Sequence, residues 1–354
     1  MKYRLLGRSG LRVSEIALGT MTFGEEWGWG ASKEESHRIF DTYADRGGNF
    51  IDTANRYTEG SSEYFVGEFI KQDRGHFVLA TKYSLYTRKG DPNASGNHRK
   101  NMVQSLEASL QRLGTDYIDL YWLHAWDYLT PVDEVMRAFD DLVRAGKILY
   151  AGISDTPAWI VSQANTMAIL RGWTPFVALQ IEYSLIERTV ERDLIPMAEA
   201  FDLAVAAWAP LGGGLLSGKY STNGASPGGA TPDARRLQPG SVRLTDRNLT
   251  IARTVAEVAT ETGHTPSQIA VAWVMSRRGT VIPVVGARRA AQLVETLDAA
   301  DITLAPEVLA RLDAASRIDL GFPHEWLTRD YVQDLVYGGT LPQIKDRRGP
   351  LVGL

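Results

Sequence analysis

Four residues of this 354-residue chain carry side chains that together could deliver a proton to a carbonyl oxygen: Asp52, Tyr57, Lys82 and His124. A lysine ammonium lowers the pKa of a neighbouring phenol by stabilising the phenolate, and a carboxylate keeps that lysine charged and oriented. Tyr57 then becomes a usable acid, and His124 could hydrogen-bond the same carbonyl oxygen and orient a substrate for reduction. Taken singly, these residues have plainer roles. Asp52 with Lys82 can be a structural buried ion pair, and Tyr57 or His124 a packing residue. The combination is what points to chemistry, provided the fold brings the four together.

The elements that would do so are short apolar runs. Asp52 closes the run 50–52, and Tyr57 follows before Gly60-Ser61-Ser62-Glu63 opens a helix; Lys82 ends 77–82 and His124 ends 118–124. Runs of the same kind occupy 15–18, 148–154, 176–181, 203–208 and 281–283, which makes eight. Between them lie amphipathic stretches such as 33–46, 99–113, 131–145 and 157–170, several opened by Ser, Thr or Pro. Eight βα units predict an α/β fold, a (β/α)8 TIM barrel, in which polar residues at the C-terminal strand ends form the functional face. The surplus over the barrel is assigned in three parts. Residues 1–14 read as an N-terminal β-hairpin around Gly7-Arg8-Ser9-Gly10 that closes the barrel bottom. Residues 212–245, rich in Gly, Pro, Ser and Thr, read as a long mobile loop after the seventh strand. Residues 317–354 read as a C-terminal tail over the barrel mouth, leaving 15–316 as the barrel of a single 1–354 domain.

Composition narrows the partners. Lys plus Arg total 38 against 42 for Asp plus Glu, a net charge of −4, so nucleic acid is not an expected ligand. With no cysteine there is no disulfide framework, thiolate cluster or cysteine nucleophile, and the composition suits a reducing compartment. The start, MKYRLLGRSG, has no stretch of signal-peptide type, and no segment approaches the roughly 20 apolar residues of a membrane span, so a cytoplasmic protein without a membrane partner is expected. His37, His76, His98, His264 and His324 show no ligand spacing, and no metal is expected. Gly212-Gly213-Gly214 does not complete G-x-G-x-x-G, because Ser217 fills the last place, so a Rossmann reading fails.

The segments GNFIDTANRYTEGSSEYFVGEFI, VLATKY, LGTDYIDLYWLH, GISDTPAW and WAPLGGGLLSGKY resemble those of the aldo-keto reductases, and together they span most of the chain. The resemblance implies a (β/α)8 barrel that binds NADP(H), less often NAD(H), in extended form and reduces aldehydes or ketones without metal or flavin. It makes Tyr57 the general acid/base, with Lys82 and Asp52 tuning it and His124 orienting the carbonyl. It also implies a cofactor site. Thr20, Met21 and Asp52 border it; Ser154, Asp155 and Gln180 hold the carboxamide; Trp208 stacks on the nicotinamide, followed by Ala209 and Pro210. Leu211, Gly213, Leu215 and Lys219 run along the pyrophosphate, and Gly286, Arg288, Gln292, Glu295 and Thr296 form the adenosine-phosphate end. Arg288 could clamp a 2′-phosphate, which favours NADP(H) over NAD(H), although Arg289 is adjacent and only one of the two can face the site. Two positions depart from the family pattern. Asp155 stands where Asn is usual, and an ionised Asp can accept but not donate, so Ser154 or Gln180 would have to donate; Thr296 stands where Asn commonly reads the adenine edge.

A substrate pocket is expected where aromatic loops converge: Trp27 and Trp29, Trp126 and Tyr128, and Trp326 of the tail. At one mouth they would select apolar or ring-bearing carbonyl compounds; otherwise they are ordinary loop anchors. The leading expectation is an NADP(H)-dependent reductase of small carbonyl compounds. An NAD+-dependent dehydrogenase of a sugar-like or other cyclic alcohol is the alternative within enzymes. The alternative outside them is a non-catalytic nicotinamide-binding regulatory subunit, similar to the β subunits of voltage-gated potassium channels. Those proteins add an N-terminal extension, whereas this chain begins almost directly at the hairpin.

Overall fold

The computed structural model of the chain describes residues 1–220, 237 and 240–344. Strands β1 (Tyr3–Leu5) and β2 (Arg12–Ser14) pair antiparallel as the expected hairpin. Its turn sits against the bottom of a barrel: the Arg8 amide donates to the Asp202 carbonyl at 2.8 Å. A Cβ on Gly7, whose φ is +54°, would lie 2.2 Å from the Val177 carbonyl oxygen, so only glycine fits there.

Eight strands build the barrel: β3 (Ala17–Gly19), β4 (Phe50–Asp52), β5 (Val78–Tyr83), β6 (Ile118–Leu123), β7 (Ile148–Ser154), β8 (Phe176–Glu182), β9 (Ala204–Trp208) and β10 (Val281–Val285). All pair parallel in chain order, and β10 closes on β3. The fold is therefore the (β/α)8 barrel, and each of the eight apolar runs supplies one strand with its ends moved by no more than two residues. Around it run α1 (Lys33–Asp45), α2 (Ser61–Ile70), α3 (Arg99–Leu113), α4 (Val132–Arg144), α5 (Ala158–Arg171), α6 (Leu194–Ala200), α7 (Asp246–Thr262), α8 (Pro266–Met275) and α9 (Ala290–Leu297). Local signals start several of them. Ser32 caps α1, and Thr265 with Gln268 forms a reciprocal capping box on α8.

The strands alternate between two apolar clusters, as a pleat of period two requires. Leu79, Tyr121 and Val205 face outward and join Ile39, Leu106, Phe139 and Ile269 of the helices. Phe50, Val78, Ala80, Leu120, Trp122, Ala178, Ala204, Ala206, Ile282 and Val284 fill the interior with Leu6 and Val13 of the hairpin. Trp122 occupies so much of that interior that a Cβ on Gly152 would lie 2.3 Å from its ring.

Of the expected loop 212–245, Gly212–Ser217 is a compact 3-10 turn with Leu215 and Leu216 buried, and 221–236 and 238–239 lie outside the described residues. After α10 (Pro306–Ser316), Arg247 binds the Ser316 carbonyl and Arg192 the Asp319 carbonyl, which docks the start of the tail. Beyond it, α11 (His324–Leu327) and α12 (Asp330–Tyr337) are mostly exposed, and α12 buries only Val332. Residues 345–354 lie outside the described part. Among the described residues no helix is long and apolar enough to cross a membrane.

Candidate active site

On five strands the interior row reaches a polar or aromatic residue two positions beyond an apolar one. Asp52 follows Phe50, Lys82 follows Ala80, His124 follows Trp122, Gln180 follows Ala178 and Trp208 follows Ala206. The pleat therefore delivers these side chains to one mouth. There the Lys82 ammonium donates to Asp52 Oδ2 at 2.6 Å, to the Thr53 carbonyl at 2.8 Å and to the Tyr57 hydroxyl at 3.0 Å. All three of its N–H groups are engaged. The Tyr57 oxygen accepts from the lysine, so its own proton points elsewhere. His124 packs edge-on to Tyr57 with ring centroids 5.9 Å apart, and its buried Nδ1 has no partner among the described residues.

Electrostatics refine the expected roles. Burial raises the pKa of Tyr57, and Lys82 pulls against that rise without cancelling it, so the phenol is held protonated rather than lowered toward neutrality. Burial works against the charge on Lys82, but Asp52 and Tyr57 outweigh it and raise its pKa. Burial first, and then Lys82, hold His124 well below the usual histidine range, which leaves a neutral imidazole.

Tyr57 opens a tight 3-10 turn, Tyr57–Gly60, in which Thr58, Glu59 and Gly60 have φ of 46°, 55° and 99°. A β-branched threonine in that region is strained and needs support. It comes from the loop after β3: Thr58 Oγ1 donates to the Phe23 carbonyl at 2.5 Å, Trp27 Nε1 donates to Glu59 at 3.0 Å, and Ser61 bonds Glu26. Arg56 also pairs with Glu59 and donates to the Tyr86 hydroxyl at 2.9 Å. Sequence reasoning missed Thr58 and Glu59, since nothing in their types announces left-handed backbone.

The residues expected at a cofactor site lie in and after several of the barrel strands. Thr20 is buried against Ser62, and Met21 is half-buried beside it. Gln180 Nε2 donates to Asp52 Oδ1 at 3.0 Å, which commits one of its two N–H donors inside the cluster. Ser154 Oγ is buried with no partner among the described residues, which leaves it able to donate to a carboxamide. Asp155 accepts from Trp208 Nε1 at 3.1 Å. Ala209 and Pro210 lead into Leu211 and the turn holding Gly213 and Leu215, then Lys219. Lys219 lies near Arg288, Arg289 and Glu295, and burial and the two arginines lower its pKa. Gly286 begins the last loop, where the Arg288 amide binds Gln292 at 3.1 Å and Thr296 Oγ1 the Gln292 carbonyl. Glu295 accepts from Thr265 at 2.9 Å. Lys219 beside Arg288 and Arg289 offers positive charge that fits phosphate, and the orphan Ser154 hydroxyl fits an amide. A second missed pair is Glu182 with Arg243, 2.5 Å apart. Its signal was present, because Glu182 continues the inward row of Gln180 by two residues.

The aromatic residues divide. Trp27 and Trp29 are half-buried with centroids 5.8 Å apart, on the loop that clamps the Tyr57 turn. Trp126 is half-buried just beyond His124, its amide bonded to the Asp155 carbonyl. Tyr128 is 71% exposed, and Trp326 donates to Tyr331 and packs on Phe322 within the tail, so the described contacts of these two do not tie them to the cluster. Among the described residues no group of three His, Asp or Glu is placed to hold a metal.

Comparison with known proteins agrees with this architecture. The sequence model of the aldo/keto reductase family matches residues 15–317. The chain is 39% identical over 338 residues to a norsolorinic acid reductase of Aspergillus flavus, covering 92% of this chain and 84% of that one. It is 38% identical over 340 residues to an aryl-alcohol dehydrogenase [NADP(+)] of Phanerodontia chrysosporium, covering 89% and 86%. An aryl-alcohol dehydrogenase of Pestalotiopsis microspora is 36% identical over 336 residues, with 92% and 85% covered. Sequence and barrel together make this chain a member of the aldo/keto reductase family.

Proposed function

We propose that this protein is an NADP(H)-dependent reductase of aldehydes or ketones, acting on small ring-bearing carbonyl compounds, with Tyr57 as the general acid. The observation that carries the reading is the Lys82 ammonium spanning Asp52, Thr53 and the Tyr57 hydroxyl. Because that hydroxyl accepts from Lys82, its proton is free to be donated toward the mouth. As the proton leaves, the phenolate forms beside a fixed ammonium and is stabilised where the charge develops. Neutral His124 supplies a second donor to the same oxygen and orients the carbonyl face. When bound, the reduced nicotinamide supplies the hydride to the carbonyl carbon. Ser154 and Trp208 would hold its ring, the Gly213 turn and Lys219 its pyrophosphate, and Arg288 a 2′-phosphate. Support for NADP(H) and for an aryl substrate comes from the name of a relative, aryl-alcohol dehydrogenase [NADP(+)], and from Trp27, Trp29 and Trp126 beside the cluster. A cytoplasmic, non-membrane enzyme is consistent with a cysteine-free chain.

Tyr57→Phe removes only the transferable proton and should reduce aromatic-aldehyde turnover about 10²–10⁴-fold while leaving NADPH affinity nearly intact. Stopped-flow hydride transfer measures it. Retention of more than about a tenth of wild-type turnover would remove Tyr57 from the acid role.

A further inference from the structure

Resting on that reading of the cofactor site, we propose that Asp155 makes the protein hold the oxidised nicotinamide more tightly than the reduced one. The ring of the oxidised form is a cation and that of the reduced form is neutral, so one negative charge at the ring site separates them.

Asp155 is fixed at that site by its backbone. It directly follows Ser154 at the end of β7 in the left-handed region, with φ at 41°. Its amide donates to the Gln180 carbonyl at 3.2 Å and its carbonyl accepts from the Trp126 amide at 3.4 Å, so strand β8 and the loop after β6 hold it from two sides. Its carboxylate accepts from Trp208 Nε1 at 3.1 Å, and Trp208 is the aromatic ring assigned to stack on the nicotinamide.

The charges around it leave this carboxylate without a cation of its own. Lys82 is committed to Asp52 at 2.6 Å, and Arg243 is committed to Glu182 at 2.5 Å. Among the described residues no Lys, Arg or His stands within ion-pair distance of Asp155. His124 is neutral and Tyr57 is protonated. Burial pushes the Asp155 carboxyl up to about 6; the Trp208 indole and then Lys82 partly offset this, and Glu182 adds to it. Above that pH Lys82, Asp52, Arg243, Glu182 and Asp155 together carry one more negative than positive charge, and the extra one is on Asp155, an exposed residue. An asparagine in this place supplies the same shape and an acceptor oxygen but no charge.

The consequence is a directional bias. In carbonyl reduction the spent cofactor is bound more tightly than the fresh one, so its release slows. In alcohol oxidation the starting cofactor is favoured.

Calorimetric titration of wild type and Asp155→Asn with NADP+ and NADPH tests this. Asparagine tolerates the left-handed backbone and keeps an acceptor for Trp208. At pH 8 the ratio of Kd for NADP+ to Kd for NADPH should rise about tenfold in the variant, mainly through weaker NADP+ binding. In wild type alone the same ratio should rise as pH falls from 8 to 5, because the carboxylate is protonated; the variant's ratio should stay flat. Groups common to both cofactors cancel in the ratio. A ratio unchanged within about twofold in both comparisons overturns the inference. Equal weakening of both forms also overturns it, and makes Asp155 a contact to the shared carboxamide. Failure of wild type to bind either cofactor would instead overturn the cofactor reading itself, and the inference with it.

Discussion

Lys82→Met separates the electrostatic work of the cluster from its packing. Methionine is unbranched and close in length, so the stem of Lys82 is largely replaced while its charge and three donors vanish. The Lys82 and Asp52 side chains are 0% and 2% exposed, so the stranded carboxylate cannot turn to water. Removing one member of such a pair costs about 3–5 kcal/mol, most of it the penalty of an unpaired buried charge. Asp52→Asn added to Lys82→Met removes that charge and keeps an acceptor for Gln180 Nε2, so the double variant should regain a large part of the loss. Urea unfolding of wild type, both single variants and the double variant measures it. Catalysis should respond separately. Lys82 pulls the Tyr57 pKa down against burial, so without it burial acts unopposed and the phenol ionises only at higher pH. Residual alcohol oxidation, which needs the phenolate to accept a proton, should therefore move its pH limb to higher pH, with turnover down about 10²–10⁴-fold. A double variant no more stable than Lys82→Met would refute the buried-charge reasoning. An unmoved pH limb would show that Lys82 does not tune Tyr57.

Two further substitutions probe the outer parts of the site. Arg288→Ala should weaken NADPH more than NADH by roughly 1.5–3 kcal/mol in fluorescence titrations, since only NADPH carries the extra phosphate, and equal losses would favour the NAD alternative. Trp126→Ala should raise KM for a bulky aromatic aldehyde about tenfold, or roughly 1–2 kcal/mol of apolar contact, while barely changing NADPH affinity; an unchanged KM across bulky and small carbonyls would show that Trp126 faces elsewhere.

The barrel was legible because eight short apolar runs alternate with amphipathic stretches, and the cluster was legible because Asp52, Lys82 and His124 end such runs. Tertiary partners were less so. Gln180 was read as a carboxamide ligand, and its type does not announce that its amide also donates to Asp52 across a separation of 128 residues. Burial was harder still: the lysine beside Tyr57 was visible, whereas the desolvation that outweighs it depends on how deeply the phenol sits. Trp326 carried an expectation of a place in the substrate pocket, yet apolar type alone does not say what a side chain packs on, and its described contacts are to Phe322 and Tyr331.

Backbone strain was least visible of all, and its distribution carries a physical argument. Seven non-glycine residues among those described have positive φ, and six of them, Thr58, Glu59, Ser84, Tyr128, Asp155 and Ala209, follow barrel strands at the mouth; Asp202 is the exception. Such positions cost about 1–3 kcal/mol each and persist only where the surroundings hold them. Here they are held by bonds between neighbouring loops, such as Thr58 to Phe23, Ser84 to Ala125 and Asp155 to Gln180. Thr58, Ser84 and Asp155 are thus held by neighbouring segments, which ties the Tyr57 turn to the loop after β3, the start of the loop after β5 to the one after β6, and Asp155 to β8. Loss of one clamp should therefore disturb the site more than the barrel, whose interior and outer clusters do not depend on it.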